Sequence, residues 1–171
     1  MAKLRKFSAY RRLERPYTRR SKYRSKSYVR SGPNNRVVRY HMGDPKGDFE
    51  TSLMLVADQD LQIRDNAIES ARQATLRKLE RNLGKTGFHF QVRIYPHHIL
   101  RENPLASGAG ADRMSTGMKM SFGKAIGVAA QVKKNQIIFQ IDCPKKHVDA
   151  CKKWLKVAAS KLPCHCRVIV Q

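Results

Sequence analysis

The chain predicts an α+β fold, a mixed sheet with two packed helices, and three observations lead there. Short segments with apolar residues at every second position recur before, between and after two longer stretches with helical spacing. The hydrophobic fraction is 41% over 171 residues, enough for one real core. Residues 1–35 show neither period, so a basic arm is expected there, with a globular body over 36–171.

Within the body, Val37-Val38-Arg39-Tyr40 reads as a strand ended by Gly43-Asp44-Pro45. The apolar run Leu53 to Ala57 is too short for a lone helix and suits a strand buried on both faces. Asp65 or Asn66 caps the first helix, and Asn66 has Glu69 three residues on, a capping-box arrangement. Ile68, Ala71, Thr75, Leu79 and Leu83 form its buried stripe, Arg72, Arg77, Lys78 and Arg81 take the other faces, and Gly84 stops it. Phe88, Phe90, Val92 and Ile94 alternate with His89, Gln91 and Arg93. A further pair of strands carries Ile126, Val128, Ala130 and Val132, then Ile137, Phe139 and Ile141, joined by the polar turn 133–136. The second helix opens near Pro144, a favoured first helical residue, and ends at Pro163. Its buried face is Val148, Cys151, Trp154, Leu155, Ala158 and Leu162, and Cys166, Val168 and Val170 make the last strand. The order is β-β-α-β-loop-β-β-α-β.

Charge identifies the class of partner. The first forty residues hold fourteen Lys and Arg against one acid, Glu14, a net +13 of the formal +22. Arg11, Arg12, Arg15, Arg19, Arg20, Lys22, Arg24, Lys26 and Arg30 are interleaved with Tyr10, Tyr17, Tyr23 and Tyr28. Arginine meets phosphate with a planar two-toothed fork, and tyrosine offers a ring to an unpaired base. Structured RNA is the expected partner, and a free arm of this charge should order only against it. A general nucleic-acid-binding or chromatin protein is the alternative. No run approaches the ~20 apolar residues of a spanning helix, and the start lacks the apolar region of a signal peptide, so no membrane partner and an intracellular site are expected.

The segment 100–125 is the least ordinary. It carries Gly108, Gly110, Gly117 and Gly123, three methionines, and the cations Arg101, Arg113, Lys119 and Lys124, with almost no branched aliphatics. Loops beyond about 12–15 residues without structure of their own are usually functional or disordered. Glycine permits close backbone approach to a ligand, and methionine adapts to irregular surfaces. Neither glycine–lysine pair makes a nucleotide loop: Gly117 to Lys124 has one residue too many and is followed by Ala125, and Gly84-Lys85-Thr86 has Leu79 where the first glycine belongs. No nucleophile, base and orienting group can be assembled around His97, His98, Glu102 or Asp112, so no enzyme and no cofactor are expected. Cys143, Cys151, Cys164 and Cys166 include no CxxC pair; with His165 they invite a zinc reading, but packing of small apolar side chains explains them better.

The loop also carries a likeness. Its stretch Ser107 to Lys124, SGAGADRMSTGMKMSFGK, closely resembles the AGADR…TGM…FGK stretch of the archaeal and eukaryotic large-subunit ribosomal protein family called L-ten-e, counterpart of the bacterial L-sixteen. Tyr10-Arg11-Arg12, Arg15-Pro16-Tyr17-Thr18-Arg19 and Leu61-Gln62-Ile63-Arg64-Asp65-Asn66-Ala67 are similar to the same family. The likeness covers essentially the whole chain and looks archaeal. It implies a hammerhead-like strand arrangement and a cytoplasmic protein of the large ribosomal subunit. It also implies binding to large-subunit ribosomal RNA near the peptidyl transferase centre, contact with neighbouring ribosomal proteins, and a loop directed at the tRNA acceptor region. By that match Arg101 marks the loop base, while Gly110, Asp112, Arg113, Gly117, Lys119 and Lys124 belong to the tRNA-proximal loop. The cysteines are outside the family pattern, so no metal is implied.

Overall fold

The computed structural model describes residues 5–18, 23, 25, 32–102, 108–110 and 123–171. Among them the strands are β1 (His41–Gly43), β2 (Thr51–Ala57), β3 (Leu61–Arg64), β4 (His89–Val92), β5 (His98–Glu102), β6 (Lys124–Val132), β7 (Ile137–Cys143) and β8 (Cys166–Val170). Helix α1 (Asp65–Leu83) follows β3, and α2 (Val148–Ala159) follows β7. The fold class is α+β with two helices, as expected.

The single mixed sheet is corrected. The strands form two sheets, ordered β1-β4-β7-β2-β8 and β3-β6-β5, and each pairing is antiparallel. The physical reason lies in the unit β7-α2-β8. The crossover helix brings β8 back parallel to β7, but β2 lies between them and pairs antiparallel with both. A strand–helix–strand pattern therefore does not require a parallel hydrogen-bonded pair. The element order also gains β3 and β5. Both are short, and Gln62 in β3 is polar yet only 3% exposed, which hides the strand from an apolar-alternation reading. The first strand is displaced from 37–40 to His41–Gly43, and Val38 is exposed.

One apolar cluster sits between the five-stranded sheet and the helices. Phe88, Phe90, Phe139, Leu53, Leu55 and Leu155 are fully buried in it, and Leu61 and Ile63 bring β3 into the same cluster. Phe90 and Phe139 face each other from adjacent strands with ring centroids 5.5 Å apart. Gly43 permits the close approach of β1 to the chain before β4: its φ is 86°, and a Cβ there would lie 2.0 Å from the Phe88 carbonyl oxygen.

On α1 the buried stripe is Ile68, Ala71, Thr75 and Leu79, with Leu83 half-buried. The capping box does not form. Arg64 is the N-cap, and Asp65 lies in the first turn, where its carboxylate accepts the Asn66 N–H (2.8 Å) and the Arg36 N–H (3.2 Å). Glu69 instead binds Arg72 and Gln73. Arg72 is buried, not on an outer face, and donates to Glu69 and to the Met42 sulfur (3.1 Å). The Arg72 hydrogen bond holds the Glu69 carboxyl below its ordinary value, against burial. Pro144 heads a 3-10 turn at Lys145–His147, so α2 begins only at Val148; it buries Cys151, Leu155 and Ala158.

Candidate nucleic-acid interface

The three-stranded sheet has β3 and β5 as its edges. Their unpaired backbone groups would need partners, and the N-terminal segment supplies them. At the β3 edge the Gln62 N–H donates to the Arg11 carbonyl (2.9 Å). The buried Gln62 side chain donates to the Tyr10 and Arg12 carbonyls (3.3 and 2.5 Å). On the central strand, Gln131 donates to the Glu14 carbonyl (2.7 Å). At the β5 edge the Ile99 N–H donates to the Tyr17 carbonyl (3.2 Å), and the Tyr17 N–H donates to His98 Nδ1 (2.8 Å). Residues 11–17 thus cross the sheet as a strap, from one edge to the other.

Two arginine–tyrosine contacts reinforce it. The Arg64 guanidinium lies 4.8 Å from the Tyr10 ring centre and donates to the Arg5 carbonyl (2.9 Å). The Arg101 guanidinium lies 3.7 Å from the Tyr17 ring centre. A small apolar cluster of Ile99 and Val128 is covered by Tyr17 and Ala125. Because His98 Nδ1 accepts a hydrogen bond, the ring is neutral and carries its proton on Nε2. Burial, the largest influence, pushes the His98 imidazole below its ordinary value, which favours that neutral form.

The strap is held largely through its backbone, and the cations expected to bind RNA stay outward. Arg11, Arg12 and Arg15 are exposed, with Arg11 also donating to Gln59 (2.9 Å). The foot of the long loop lies at the same sheet. Arg101 pairs with Ala125 and Glu102 with Lys124 across β5 and β6. Arg101 is the residue over Tyr17, and Glu102 forms an ion pair with Arg5. Gly110 is exposed with φ 79°, a conformation suited to glycine. Arg19, Arg20, Lys22, Arg24, Lys26 and Arg30 of the arm lie outside the described residues, as do Asp112, Arg113, Gly117 and Lys119 of the loop.

The sequence reading missed the positioning residues Gln62, Gln131 and His98. A glutamine between Leu61 and Ile63 is the one local signal, since its burial demands hydrogen-bond partners. The cysteines fall into two pairs. Cys143 and Cys151 are buried, and the hydrogen bond to Cys143, then burial, pushes the Cys151 thiol far up. Cys164 and Cys166 have sulfurs 3.5 Å apart. Among the described residues, no three His, Cys, Asp or Glu side chains converge as a metal site would require. No helix among them is long and apolar enough to cross a membrane.

Comparison with known proteins addresses the family directly. The model of the family described as "Ribosomal protein L16p/L10e" matches residues 14–169. A protein of Methanococcus maripaludis, named "Large ribosomal subunit protein uL16", is 46% identical over 168 residues, 98% of this chain and 94% of its own. Proteins of the same name from Methanoculleus marisnigri and Archaeoglobus fulgidus are each 41% identical, over 94% and 95% of this chain and 91% and 90% of their own. The match spans both sheets, both helices and the loop, and the chain belongs to the ribosomal protein L16p/L10e family.

Proposed function

We propose that this protein is a structural, non-enzymatic constituent of the large ribosomal subunit, in cytoplasmic ribosomes, and that it binds large-subunit ribosomal RNA and helps position tRNA during translation. Family membership and the relatives' names support the first part. The observation that carries the second is the meeting of the strap with the loop foot, through Arg101 on Tyr17 and Arg5 on Glu102. A cation-rich arm and a glycine- and cation-rich loop are thereby rooted on one sheet. On this reading residues 1–35 are the RNA-binding arm, and 36–171 are the family's hammerhead-like body with its functional loop at 100–125. Arg11, Arg12, Arg15, Arg19, Arg20, Lys22, Arg24, Lys26 and Arg30 neutralise phosphates and set orientation. Arg101, Gly110, Asp112, Arg113, Gly117, Lys119 and Lys124 serve the tRNA acceptor end near the peptidyl transferase centre. Neighbouring ribosomal proteins complete its partners.

Large subunits reconstituted with Arg113→Ala and Lys119→Ala provide the test. They should contain the protein in normal amount and bind tRNA weakly. Full tRNA affinity and full peptide-bond formation would show that the loop is only a linker.

A further inference from the structure

We infer that the rings of Tyr40, Tyr95 and His97, with Arg39 and Arg93, form a stacking platform for one unpaired RNA nucleotide. The inference rests on the RNA-binding reading above but uses residues of neither the strap nor the loop. The three rings stand in series. Tyr40 and Tyr95 are stacked with centroids 5.4 Å apart, and Tyr95 and His97 follow at 4.4 Å. Tyr95 is 48% exposed, and His97 is exposed as well. Aromatic rings open to water offer the π-face that any unpaired base can use.

The rings are fixed before a ligand arrives. The His97 N–H donates to the Tyr95 carbonyl (3.0 Å), closing a three-residue turn about the buried Pro96. Proline's locked φ holds the two flanking rings in their relation. Asn35 donates to the Tyr40 hydroxyl (2.9 Å) and accepts the Val37 N–H (3.0 Å), which fixes the other end. Such preorganisation lowers the ordering cost of binding.

The second observation concerns charge. The register of β1 on β4 pairs His41 with Gln91, and the Val92 N–H to Tyr40 carbonyl bond (2.9 Å) carries it one residue further. Arg39 adjoins Tyr40, where the chain bends, and Arg93, which donates to Gln91 (3.2 Å), lies two residues before Tyr95. Both are exposed, and neither forms a salt bridge among the described residues. Two exposed guanidinium groups next to the ring-bearing segments offer a phosphate charge-assisted hydrogen bonds. A base on the rings and its phosphate on the arginines together make one nucleotide.

The test uses the purified full chain with a single-stranded RNA containing 2-aminopurine and with an RNA duplex. Affinities are measured across salt and extrapolated to 1 M, where counterion release no longer contributes. Tyr95→Ala with His97→Ala should lower the single-strand intercept about tenfold while leaving its salt slope and the duplex affinity unchanged. Arg39→Ala with Arg93→Ala should instead flatten the slope, by about 0.7 for each phosphate no longer neutralised. Tyr95→Phe, which keeps the ring, should bind as the unmodified chain does. If the double ring variant does not fold, His97→Ala alone at its exposed position should lower the intercept in the same direction. An unchanged intercept in the ring variants, or an equal loss on duplex, overturns the platform. Failure of the unmodified chain to bind either RNA would overturn the RNA-binding reading itself.

Discussion

Behind β1-β4-β7-β2-β8, two helices close over Phe88, Phe90, Phe139 and Leu155, whereas across β3-β6-β5 a cationic strap is laid down by Gln62, Gln131, His98 and two arginine–tyrosine contacts. The first arrangement gains from apolar area, which is non-directional and is not screened by salt as charge contacts are. The second gains from hydrogen bonds worth about 0.5–1.5 kcal/mol each and from half-buried cation–ring contacts of about 0.5–2 kcal/mol. The body therefore stays folded while its cationic cover is held by contacts that can be exchanged for others. That division suits a protein whose basic segment must settle onto RNA.

Breaking the apolar side should have the largest effect. Phe90→Ala should cost about 3–5 kcal/mol in chemical denaturation, because the ring is fully buried against Phe139. Both sheets should lose structure together, since Leu61 and Ile63 share its cluster. Retention of the three-stranded sheet after loss of the other would show that the two sheets do not share one core.

Breaking the strap should cost less and act locally. Gln62→Ala removes donors to the Tyr10 and Arg12 carbonyls, a loss of about 1–3 kcal/mol. Trypsin should then cut faster at Arg11 and Arg12, while the denaturation midpoint falls less than in Phe90→Ala. Equal cutting rates in the two proteins would mean that the glutamine does not hold the strap.

Acid should separate the two regions by pH. The folded-state value of His98 is pushed below 6.5, chiefly by burial, so its contribution is full above 6.5 and is lost as pH falls from there toward the folded value. Charging the ring also puts a proton on the Nδ1 that accepts the Tyr17 N–H. Asp142 behaves differently. Burial raises it, but hydrogen bonds from Gln140, Ser52 and His89 outweigh that and hold it below 3.8. Its contribution is present above 3.8 and is lost only as pH falls through its lower folded value. Amide protection at Tyr17 and Ile99, relative to the intrinsic exchange rate, should thus fall as pH drops below 6.5 toward the folded value of His98, with β4 and β7 still protected. A single transition for all of these amides would contradict the division.

The smallest effect belongs to the surface. Lys152 and Asp149 are 3.4 Å apart on α2 with both side chains exposed, and Lys152→Ala should change stability by less than about 0.5 kcal/mol.

What the sequence made legible follows the same division. Phe90 and Val92, Phe139 and Ile141, and the stripe Ile68, Ala71, Thr75 and Leu79 were readable because apolar burial leaves a period. The strap was not, because Arg11, Glu14 and Tyr17 are held through backbone carbonyls, which every residue possesses. β3 and β5 were hidden for a related reason: Gln62 and His98 are buried by virtue of polar partners in a distant segment. The family likeness pointed to the loop and the arm, but not to the contacts between Arg101 and Tyr17 or between Arg5 and Glu102. Deleting residues 1–35 would also uncover Ile99, Val128 and Gln62, so charge substitutions probe the arm more cleanly than truncation.

Cosedimentation with large ribosomal subunits through gradients of rising salt tests the central claim most directly, comparing the full chain with a variant carrying Arg11→Gln, Arg12→Gln and Arg15→Gln. The three cations are exposed, so the melting temperature should be unchanged. The unmodified chain should travel with the large subunit, and the variant should leave it at lower salt, its log–log slope reduced by about 0.7–0.9 for each phosphate left without its arginine. A chain that stays at the top of the gradient at every salt concentration, or a variant released together with it, would contradict the account.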